Sequence, residues 1–430
     1  MLFFMTLQNW EQWNNGTIMK VAIKKAASRK EIFAGVEDIF NSFQHVLPTS
    51  SDARILLKPN LNANMNALTG NTTDLRLVAA VITHLKDAGY RHITIGEGTN
   101  SGYYRNRISV ISRLKVDSLA RYFGVNVCDL NQDRPQFVRF EKGILAGVAE
   151  TCFQCDLLIN LPKIKTHFEV GMSVCLKNLM GCLVGQENKK KTHQDLAKNI
   201  VNLNQQLRPH LHVIDGLIAM EGLGPTRGNP VHLGLIIGGT DPCLLDMLCA
   251  QLAGFDYRDI LTLKIAESRG LIGPAHFDYL KSLDIAGFRR NFERPAANFL
   301  ASFIHSPKRQ KYFLAVRNTP FFTWLASTRI FGYLLFVSGL RQDNFIHEEM
   351  ALNRLTFVPE RCDPGCTRCA DYCPLALDIP KRFTEKDMDC IECLYCFLVC
   401  PHKAIGFEGE LGFMAEQLRQ YDEITRRIAG

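Results

Sequence analysis

The chain has 430 residues, of which 47% are hydrophobic and 22% charged, and this excludes a disordered or collagen-like protein. The net charge of +7 gives an isoelectric point near 8.6, below the value of about 9 that is typical of nucleic-acid-binding domains, so we expect no nucleic-acid partner. Residues 1–16 lack the basic region and long apolar run of a signal peptide. We therefore expect a cytoplasmic protein whose 15 cysteines serve metal or redox chemistry rather than disulfides.

Short apolar segments alternate with helical patterns over residues 20–286, after an N-terminal extension of residues 1–19. The strand candidates are rich in Ile, Leu and Val and are bounded by Gly, Pro or Asn: 20–25, 54–59, 92–96, 124–129, 156–162, 211–216 and 233–238. Three helices are predicted: one between the second and third strands with Thr73 or Asp74 as its N-cap, one over 108–123 and one over 241–254. The alternation predicts an α/β domain with a mixed or parallel sheet layered with helices.

Polar side chains follow several of these strands. Lys58 lies at the end of the second strand, and Lys163, Lys165 and His167 alternate after the fifth, on one side of an extended chain. Because open α/β sheets bind ligands at strand ends, we expect a cationic pocket for a carboxylate or phosphate, in which His167 could transfer a proton. A solvated surface position is the alternative for each residue alone. The basic run 189–193 is predicted to be a solvated loop, with an anion-binding lid as the alternative.

Six motifs together resemble the domain-of-unknown-function 362 family: KPN at 58–60, GEG at 96–98, NLPKIKTH at 160–167, CLKNLMG at 175–181, IDGLIAMEGLGP at 214–225 and GGTDPCLLD at 238–246. The resemblance covers about residues 50–286 and implies an iron–sulfur protein with a redox role, without implying a substrate. It adds Glu97 to the expected site. It points further to Asn60, Lys177, Asn178, Asp215, Glu221, Asp241 and Asp246.

Seven cysteines are scattered through this domain. Cys152, Cys155, Cys243 and Cys249 are predicted to be packing residues, since cysteine behaves as a small hydrophobic side chain when buried. Cys175 and Cys182 flank the Lys177-Asn178 dipeptide and could line a pocket.

The connector of residues 287–358 is basic and aromatic. Between 289 and 341 it carries nine Lys or Arg and a single acid, and 320–340 is the most apolar stretch of the chain. A helical connector packed under the C-terminal domain is the favoured interpretation, because Arg329 and Gly332 interrupt the apolar run. Peripheral contact with a membrane through 287–348 and a membrane span are the alternatives.

The C-terminal cysteines form two regular runs. Cys390, Cys393, Cys396 and Cys400-Pro401 fit C-x2-C-x2-C-x3-C-P, and Cys362, Cys366, Cys369 and Cys373-Pro374 repeat it with one extra residue in the first gap. In such runs three cysteines hold one [4Fe–4S] cluster and the fourth ligates the other cluster. We therefore expect two [4Fe–4S] clusters, with these ligands: Cys362, Cys366, Cys369 and Cys400 for one, and Cys390, Cys393, Cys396 and Cys373 for the other. A zinc site or disulfides are the alternatives, and neither explains two C-x3-C-P endings.

Residues 361–407 resemble a two-cluster bacterial ferredoxin domain. The resemblance implies a small, pseudo-symmetric α+β domain of two β-hairpin-and-helix halves that moves single electrons, and we place it at 359–408. The last segment, 409–430, has apolar residues at helical spacing and is predicted to be a docking helix.

The joining of an electron-transfer module to a cationic pocket favours a ferredoxin-dependent reductase. It would pass electrons from the two clusters to an anionic small molecule, with an electron donor or acceptor protein as its partner. One alternative is an electron-transfer or assembly protein without its own substrate, which docks a redox partner or a membrane surface. Another is a non-redox ligand-binding enzyme in which the clusters are structural.

Overall fold

The computed structural model describes residues 19–226, 228–295, 319–337, 348–379 and 389–415. The strands are β1 Val21–Lys25, β2 Arg54–Pro59, β3 His92–Glu97, β4 Asn126–Asp129, β5 Pro135–Arg139, β6 Leu145–Ala149, β7 Leu157–Leu161, β8 Lys163–His167, β9 Gly171–Ser173, β10 Leu211–Glu221, β11 Asn229–Gly239, β12 Ala351–Phe357 and β13 Ile405–Glu410. The helices are α1 Arg29–Ser42, α2 Leu75–Asp87, α3 Ser101–Arg105, α4 Val110–Arg113, α5 Val116–Phe123, α6 Thr151–Gln154, α7 Cys175–Asn178, α8 Gly185–Thr192, α9 Leu196–Leu207, α10 Pro242–Leu252, α11 Leu261–Ser268, α12 Pro274–Ser282, α13 Pro320–Ser327, α14 Arg329–Val337, α15 Arg368–Tyr372 and α16 Tyr395–Val399.

A nine-stranded mixed sheet forms the centre of the α/β domain. Seven strands follow the order β1-β11-β10-β7-β2-β3-β4, and β8 pairs with both β10 and β9. The strands from β10 to β4 run parallel, whereas β1 and β11 are antiparallel to their neighbours. Every predicted strand position contains a strand, so the expected α/β domain with a mixed sheet is confirmed.

Helices cover both faces of this sheet. Ile55 and Leu57 point from β2 into a core shared with α1, α2 and α5, whereas Leu56 points into a second core with α7, α9 and α10. Successive side chains of a strand point to opposite faces, so a strand buried on both faces has an uninterrupted apolar sequence. The segment RILLKP of β2 is such a sequence, with every residue after Arg54 buried.

Most predicted helices are present, with one break and one addition. Asp74 is the N-cap of α2, and its side chain accepts a hydrogen bond from the Arg76 backbone N–H. The segment predicted as one helix over 108–123 is divided into α4 and α5 because Lys115 has a φ of +61°, outside the helical range. The basic run 189–193, predicted to be a solvated loop, instead lies largely within α8.

Within residues 348–379 and 389–415, the C-terminal segment contains one antiparallel strand pair and two packed helices. Strands β12 and β13 pair from Ala351 opposite Glu410 to Phe357 opposite Ile405, and α15 packs against α16. The predicted helix over 409–430 begins differently, because β13 extends to Glu410 and residues 412–414 form a single tight turn. Residues 416–430 of that prediction, and 380–388 of the predicted ferredoxin-like domain, lie outside the described residues.

The described part of the connector consists of two short helices. α13 has 8 residues and α14 has 9, and Thr328 separates them. No helix in the described ranges is long and apolar enough to cross a membrane. The two helices leave Phe321, Trp324, Ile330, Tyr333 and Leu334 between 55% and 78% exposed, rather than packed beneath another domain as a connector would be. We call these five side chains the apolar patch.

Candidate functional site

The sheet register brings the predicted site residues to neighbouring positions. Lys58 on β2 lies opposite Asn160 on β7, and Lys163 on β8 lies opposite Asp215 on β10. Glu97 is the last residue of β3, next to β2. Because the carboxyl ends of parallel strands meet at one edge, the structure gathers these side chains into a buried group. We call this group, together with Lys165 and His167, the lysine centre.

Lys58 and Glu97 form a buried ion pair. The Lys58 Nζ atom lies 2.8 Å from Glu97 Oε1 and also donates to the Pro59 carbonyl at 2.8 Å. Glu97 accepts further hydrogen bonds from the Leu61 and Gly98 backbone N–H groups, each at 2.8 Å. A Cβ atom at Gly181 would overlap the Glu97 carboxylate, so only glycine allows the chain to pass this close to the pair.

Lys163 forms the second buried ion pair, with Asp215. The Nζ atom lies 2.9 Å from Asp215 Oδ2, and both side chains are fully buried. Asp215 also accepts hydrogen bonds from the backbone N–H groups of Asp74 at 2.7 Å and Leu217 at 3.0 Å. Burial raises the pKa of Asp215 above its ordinary value in spite of the opposing charge of Lys163.

Lys165 is held by neutral oxygens instead of an acid. Its Nζ atom donates to Asn60 Oδ1, Asn62 Oδ1 and the Asn71 carbonyl, each at 2.8 Å. Burial, and then the charges of Lys177 and Lys163, hold the pKa of Lys165 well below its ordinary value. The ammonium form would gain from an additional negative group at this position.

His167 is buried and neutral at physiological pH. Burial, and then Lys177 and Lys165, keep its pKa well below the ordinary histidine value. The Nδ1 atom accepts a hydrogen bond from the Glu169 backbone N–H at 3.2 Å. This acceptor role assigns the ring hydrogen to Nε2.

Lys189 belongs to the same region, although the sequence analysis did not include it in the site. Its side chain turns inward from α8 and donates to the Gly98 carbonyl at 3.0 Å, the Thr99 carbonyl at 2.9 Å and Asn131 Oδ1 at 2.5 Å. Burial lowers its pKa to about 8. A basic run shows only that lysines are present, and the face of α8 that points inward depends on tertiary packing.

Asparagine side chains join the strand ends beneath these charges. Asn178 donates to the Lys58 carbonyl at 3.1 Å and to Asn160 Oδ1 at 2.7 Å, and its own Oδ1 accepts from Asn60 at 2.8 Å. The Oδ1 atom of Asn71, next to Lys165, is buried and has no hydrogen-bond partner among the described residues. The lysine centre therefore contains one acceptor that a ligand hydroxyl or a water could use.

The eight C-terminal cysteines line two separate cavities. The inner cavity is lined by Cys373, Cys390, Cys393 and Cys396, together with apolar side chains. The outer cavity is lined by Cys362, Cys366, Cys369 and Cys400, with Arg368 and His402. Each cavity thus takes three cysteines from one sequence run and one from the other.

The cysteine sulfurs accept hydrogen bonds from the backbone. The Glu392 N–H donates to Cys390 Sγ and the Ala404 N–H donates to Cys400 Sγ, each at 3.3 Å. Burial, and then the neighbouring Cys390 and Cys373, raise the pKa of Cys396 far above its ordinary value. Burial thus favours the neutral thiol here, and a thiolate would need a positively charged partner in the cavity. Among the described residues, no group of three or more His, Cys, Asp or Glu side chains is arranged to hold a single metal ion.

With this geometry in place, the chain can be compared with known proteins. Residues 55–251 match the family described as Domain of unknown function (DUF362). The family resemblance seen in the motifs is confirmed over that range. A thylakoid-associated protein of Synechocystis sp. is 29% identical over 240 residues, which are 51% of this chain and 68% of that protein.

One solved structure overlaps part of the chain. The lactate racemase apoprotein from Thermoanaerobacterium thermosaccharolyticum covers 55% of this chain at 11% sequence identity, with a TM-score of 0.33. This chain covers 57% of the racemase chain, which is less than two thirds of it.

The residues implied by the DUF362 resemblance divide into two groups. Asn60, Asn178 and Asp215 are hydrogen-bonded within the lysine centre, and the partly buried Lys177 lies close enough for its charge to lower the pKa of Lys165 and of His167.

The other three serve the surrounding framework. Glu221 accepts from the Glu293 N–H at 2.8 Å, and Asp241 caps α10 and contacts His276 at 3.0 Å. Asp246 accepts from the Cys175 N–H at 2.8 Å and so fixes the start of α7, the helix that carries Lys177. Burial raises the pKa of Asp246 to about 7.

The scattered cysteines of the DUF362 region are mostly packing residues. Cys152, Cys243 and Cys249 are buried in the second core, and Cys155 is partly buried against it. Cys175 and Cys182 are also fully buried there, so neither presents its thiol to an open pocket.

Proposed function

We propose that the protein is an iron–sulfur oxidoreductase that passes electrons between two [4Fe–4S] clusters and an anionic small molecule bound at the lysine centre. The observation that carries this proposal is the grouping of eight cysteines around two cavities, the inner of which adjoins the α/β domain. Tyr395 lines the inner cavity, and its hydroxyl accepts a hydrogen bond from the Leu75 N–H of α2 at 3.3 Å. The donor module and the candidate substrate site would therefore share a direct contact.

The cysteine groups fit the proposed clusters. Each provides four sulfurs around one cavity, and the exchange of one cysteine between runs is the pattern of two-cluster bacterial ferredoxins. Backbone N–H groups directed at Cys390 and Cys400 would stabilise negative charge on these sulfurs. Bound clusters would supply electrons one at a time.

The substrate class follows from the charge balance of the lysine centre. Lys58 and Lys163 each have an acidic partner, whereas Lys165 and Lys177 form no ion pair within the described parts of the chain. A carboxylate or phosphate between these two lysines would satisfy both. It would enter where Lys177 is partly exposed, and the neutral His167 could donate a hydrogen bond from Nε2 to the bound molecule.

Reoxidation of the reduced protein tests the site. Anaerobically prepared protein is reduced with dithionite, freed of excess reductant and mixed with a panel of small carboxylates and phosphate esters, while visible absorbance is recorded. The wild type and the exposed-site control Lys24→Met should be reoxidised by the same class of compound. Lys165→Met should keep its iron content and lose this response. Equal reoxidation of Lys165→Met would contradict the assignment of the lysine centre.

A second candidate function is peripheral docking to a membrane from the cytoplasm, which would place the electron module beside a redox partner. The apolar patch favours it, since five large apolar side chains on two short helices stay exposed. The flanking sequence from 289 to 341 has nine basic residues and a single acid, which suits an anionic lipid surface. The similar Synechocystis protein is described as thylakoid-associated.

A further inference from the structure

Arg76 is the largest fully buried side chain among the described residues and lies in the first turn of α2. Its guanidinium is paired with Asp74 by two hydrogen bonds, from Nε to Oδ1 at 3.1 Å and from Nη2 to Oδ2 at 2.8 Å. A buried charge is costly unless it is paired and hydrogen-bonded, so the bidentate pairing with Asp74 offsets the cost of burying the guanidinium.

One side of this arginine contacts the segment that leads to Cys373. The guanidinium carbon lies 4.0 Å from the centre of the Tyr372 ring, and Nη1 donates to the Asp371 carbonyl at 3.4 Å. These two residues directly precede Cys373. The residue before it, Leu75, contacts Tyr395, which directly precedes Cys396. Two of the four inner cysteines are thus flanked by residues that touch the first turn of α2.

The other side of the pair faces the lysine centre. The Asp74 backbone N–H donates to Asp215 Oδ2 at 2.7 Å, and the same oxygen is 2.9 Å from Lys163 Nζ. An unbroken series of contacts therefore runs from Lys163 through Asp215 and Asp74 to Arg76, with a cation at each end. Its cationic end at Arg76 is the one that contacts the residues preceding Cys373.

The outer cavity has a different electrostatic setting. Its lining cation, Arg368, is only partly buried, so water and salt screen its charge. Reduction adds one negative charge to a cluster, and a cation in a low-dielectric surrounding stabilises that charge more than an exposed one does. The clusters held by the two cysteine groups should therefore differ in reduction potential.

We propose that Arg76 is a positioning residue that raises the reduction potential of the cluster held by Cys373, Cys390, Cys393 and Cys396 above that of the outer cluster. This inference rests on the proposed function and deepens it. The inner cluster is then the one that exchanges electrons with the anionic molecule at the lysine centre. The outer cluster receives single electrons from a donor protein.

A redox titration followed by electron paramagnetic resonance tests this role in the full chain, with dithionite as reductant. In Arg76→Gln the higher of the two midpoint potentials should shift downward, and the lower one should stay in place. Asp74→Asn leaves the arginine charge unopposed, so the same potential should shift upward. Arg76→Lys keeps the charge and should restore most of the wild-type value.

Arg29→Gln is the matched control. Arg29 donates to the Pro374 carbonyl at 3.4 Å, next to Cys373, but it is only partly buried, so its removal should give a smaller shift. If Arg76→Gln fails to fold, the double variant Asp74→Asn/Arg76→Gln removes both charges at nearly constant volume. Asp74→Asn is then measured as a single variant. The proposal requires that the midpoint potential shift less in the double variant than in Asp74→Asn.

The outcomes separate the two claims. Two clusters whose potentials are unchanged by Arg76→Gln and Asp74→Asn, or shift together, would overturn the role of Arg76 and leave the proposed function in place. A wild-type chain that binds no iron–sulfur cluster would overturn the proposed function itself.

Discussion

The lysine centre and the cysteine groups differ in the surroundings of their buried polar atoms. In the lysine centre, Lys58 and Lys163 each meet a carboxylate at hydrogen-bond distance, and Lys165 meets three oxygens. In the inner cavity, four cysteines face a space whose other lining is almost wholly apolar. The protein itself thus balances most charges of the first region, whereas no charged side chain of the described residues lines the second.

Under the proposed function, this difference indicates which region depends on a bound group. The lysine centre is preorganised by its own ion pairs and hydrogen bonds. The cysteine groups would gain a charge partner when a cluster occupies the cavity, and metal binding of this kind stabilises the fold that surrounds it. Perturbing the two regions should therefore produce different losses.

The largest effect is expected from the cysteine groups. Cys396→Ser should lose the inner cluster and about half of the bound iron, because each cluster needs its four thiolates. Iron analysis and paramagnetic resonance of the reduced protein measure this. Cys128→Ser is the control, since this half-buried cysteine on β4 lines neither cavity. Equal iron content in both variants would remove Cys396 from the ligand set.

A large loss of stability is expected at the buried pair of the lysine centre. Glu97→Gln leaves the Lys58 charge buried without its partner, which should cost about 3–5 kcal/mol in the free energy of unfolding. Urea denaturation provides the measurement.

The exposed pair of Lys24 and Asp38 is the matched comparison. Its two side chains are 34% and 55% exposed, so Asp38→Asn should cost only about 0–1 kcal/mol. The double variant Lys58→Met/Glu97→Gln should recover part of the loss. If Glu97→Gln reduced the free energy of unfolding as little as Asp38→Asn does, the buried pair would not be a preorganised element.

A moderate pH dependence is expected from Lys189. Its pKa in the folded chain is about 8, below the ordinary lysine value of about 10.4. Between about pH 8 and pH 10 the unfolded chain retains this proton whereas the folded chain has released it, so the lysine favours folding increasingly as pH rises. The urea midpoint of the wild type relative to Lys189→Met should increase over this window. Lys191→Met, which removes an exposed lysine near the end of α8, is the matched control for the loss of a lysine.

Substitutions in the apolar patch should have the smallest effect on stability and a clear effect on binding of the protein to membranes. Trp324→Ser with Ile330→Ser should weaken sedimentation with vesicles of phosphatidylcholine and phosphatidylglycerol, because the bound face loses its buried apolar area. Phe137→Ser is the control, since Phe137 is 57% exposed on β5, outside the patch. Equal sedimentation of the three proteins would contradict membrane docking through α13 and α14.

The sequence was most informative where short-range patterns decide the structure. Apolar runs located the seven strands, Asp74 was correctly among the predicted caps, and alternation placed Lys163, Lys165 and His167 on one strand. Family motifs added Glu97, Asn60 and Asn178, which the structure brings together. Each of these depends on residues close in the chain or on a shared edge of the sheet.

Long-range partners could not be predicted. The pairing of Lys58 with Glu97 depends on the neighbouring register of β2 and β3, and the inward turn of Lys189 depends on the packing of α8. The contacts of Arg76 with Asp371 and Tyr372 cross almost 300 residues of sequence. The apolar run 320–340 was expected to be covered, but Thr328 divides it into two helices with exposed apolar side chains.

Iron and acid-labile sulfide in the anaerobically prepared wild-type chain test the central claim most directly. Two [4Fe–4S] clusters require about eight irons and eight sulfides per chain, with paramagnetic signals from both clusters after reduction. That content, reduced to about half in Cys396→Ser and unchanged in Cys128→Ser, is the predicted result. Stoichiometric zinc in place of iron, or a chain that binds neither iron nor sulfide, would contradict it.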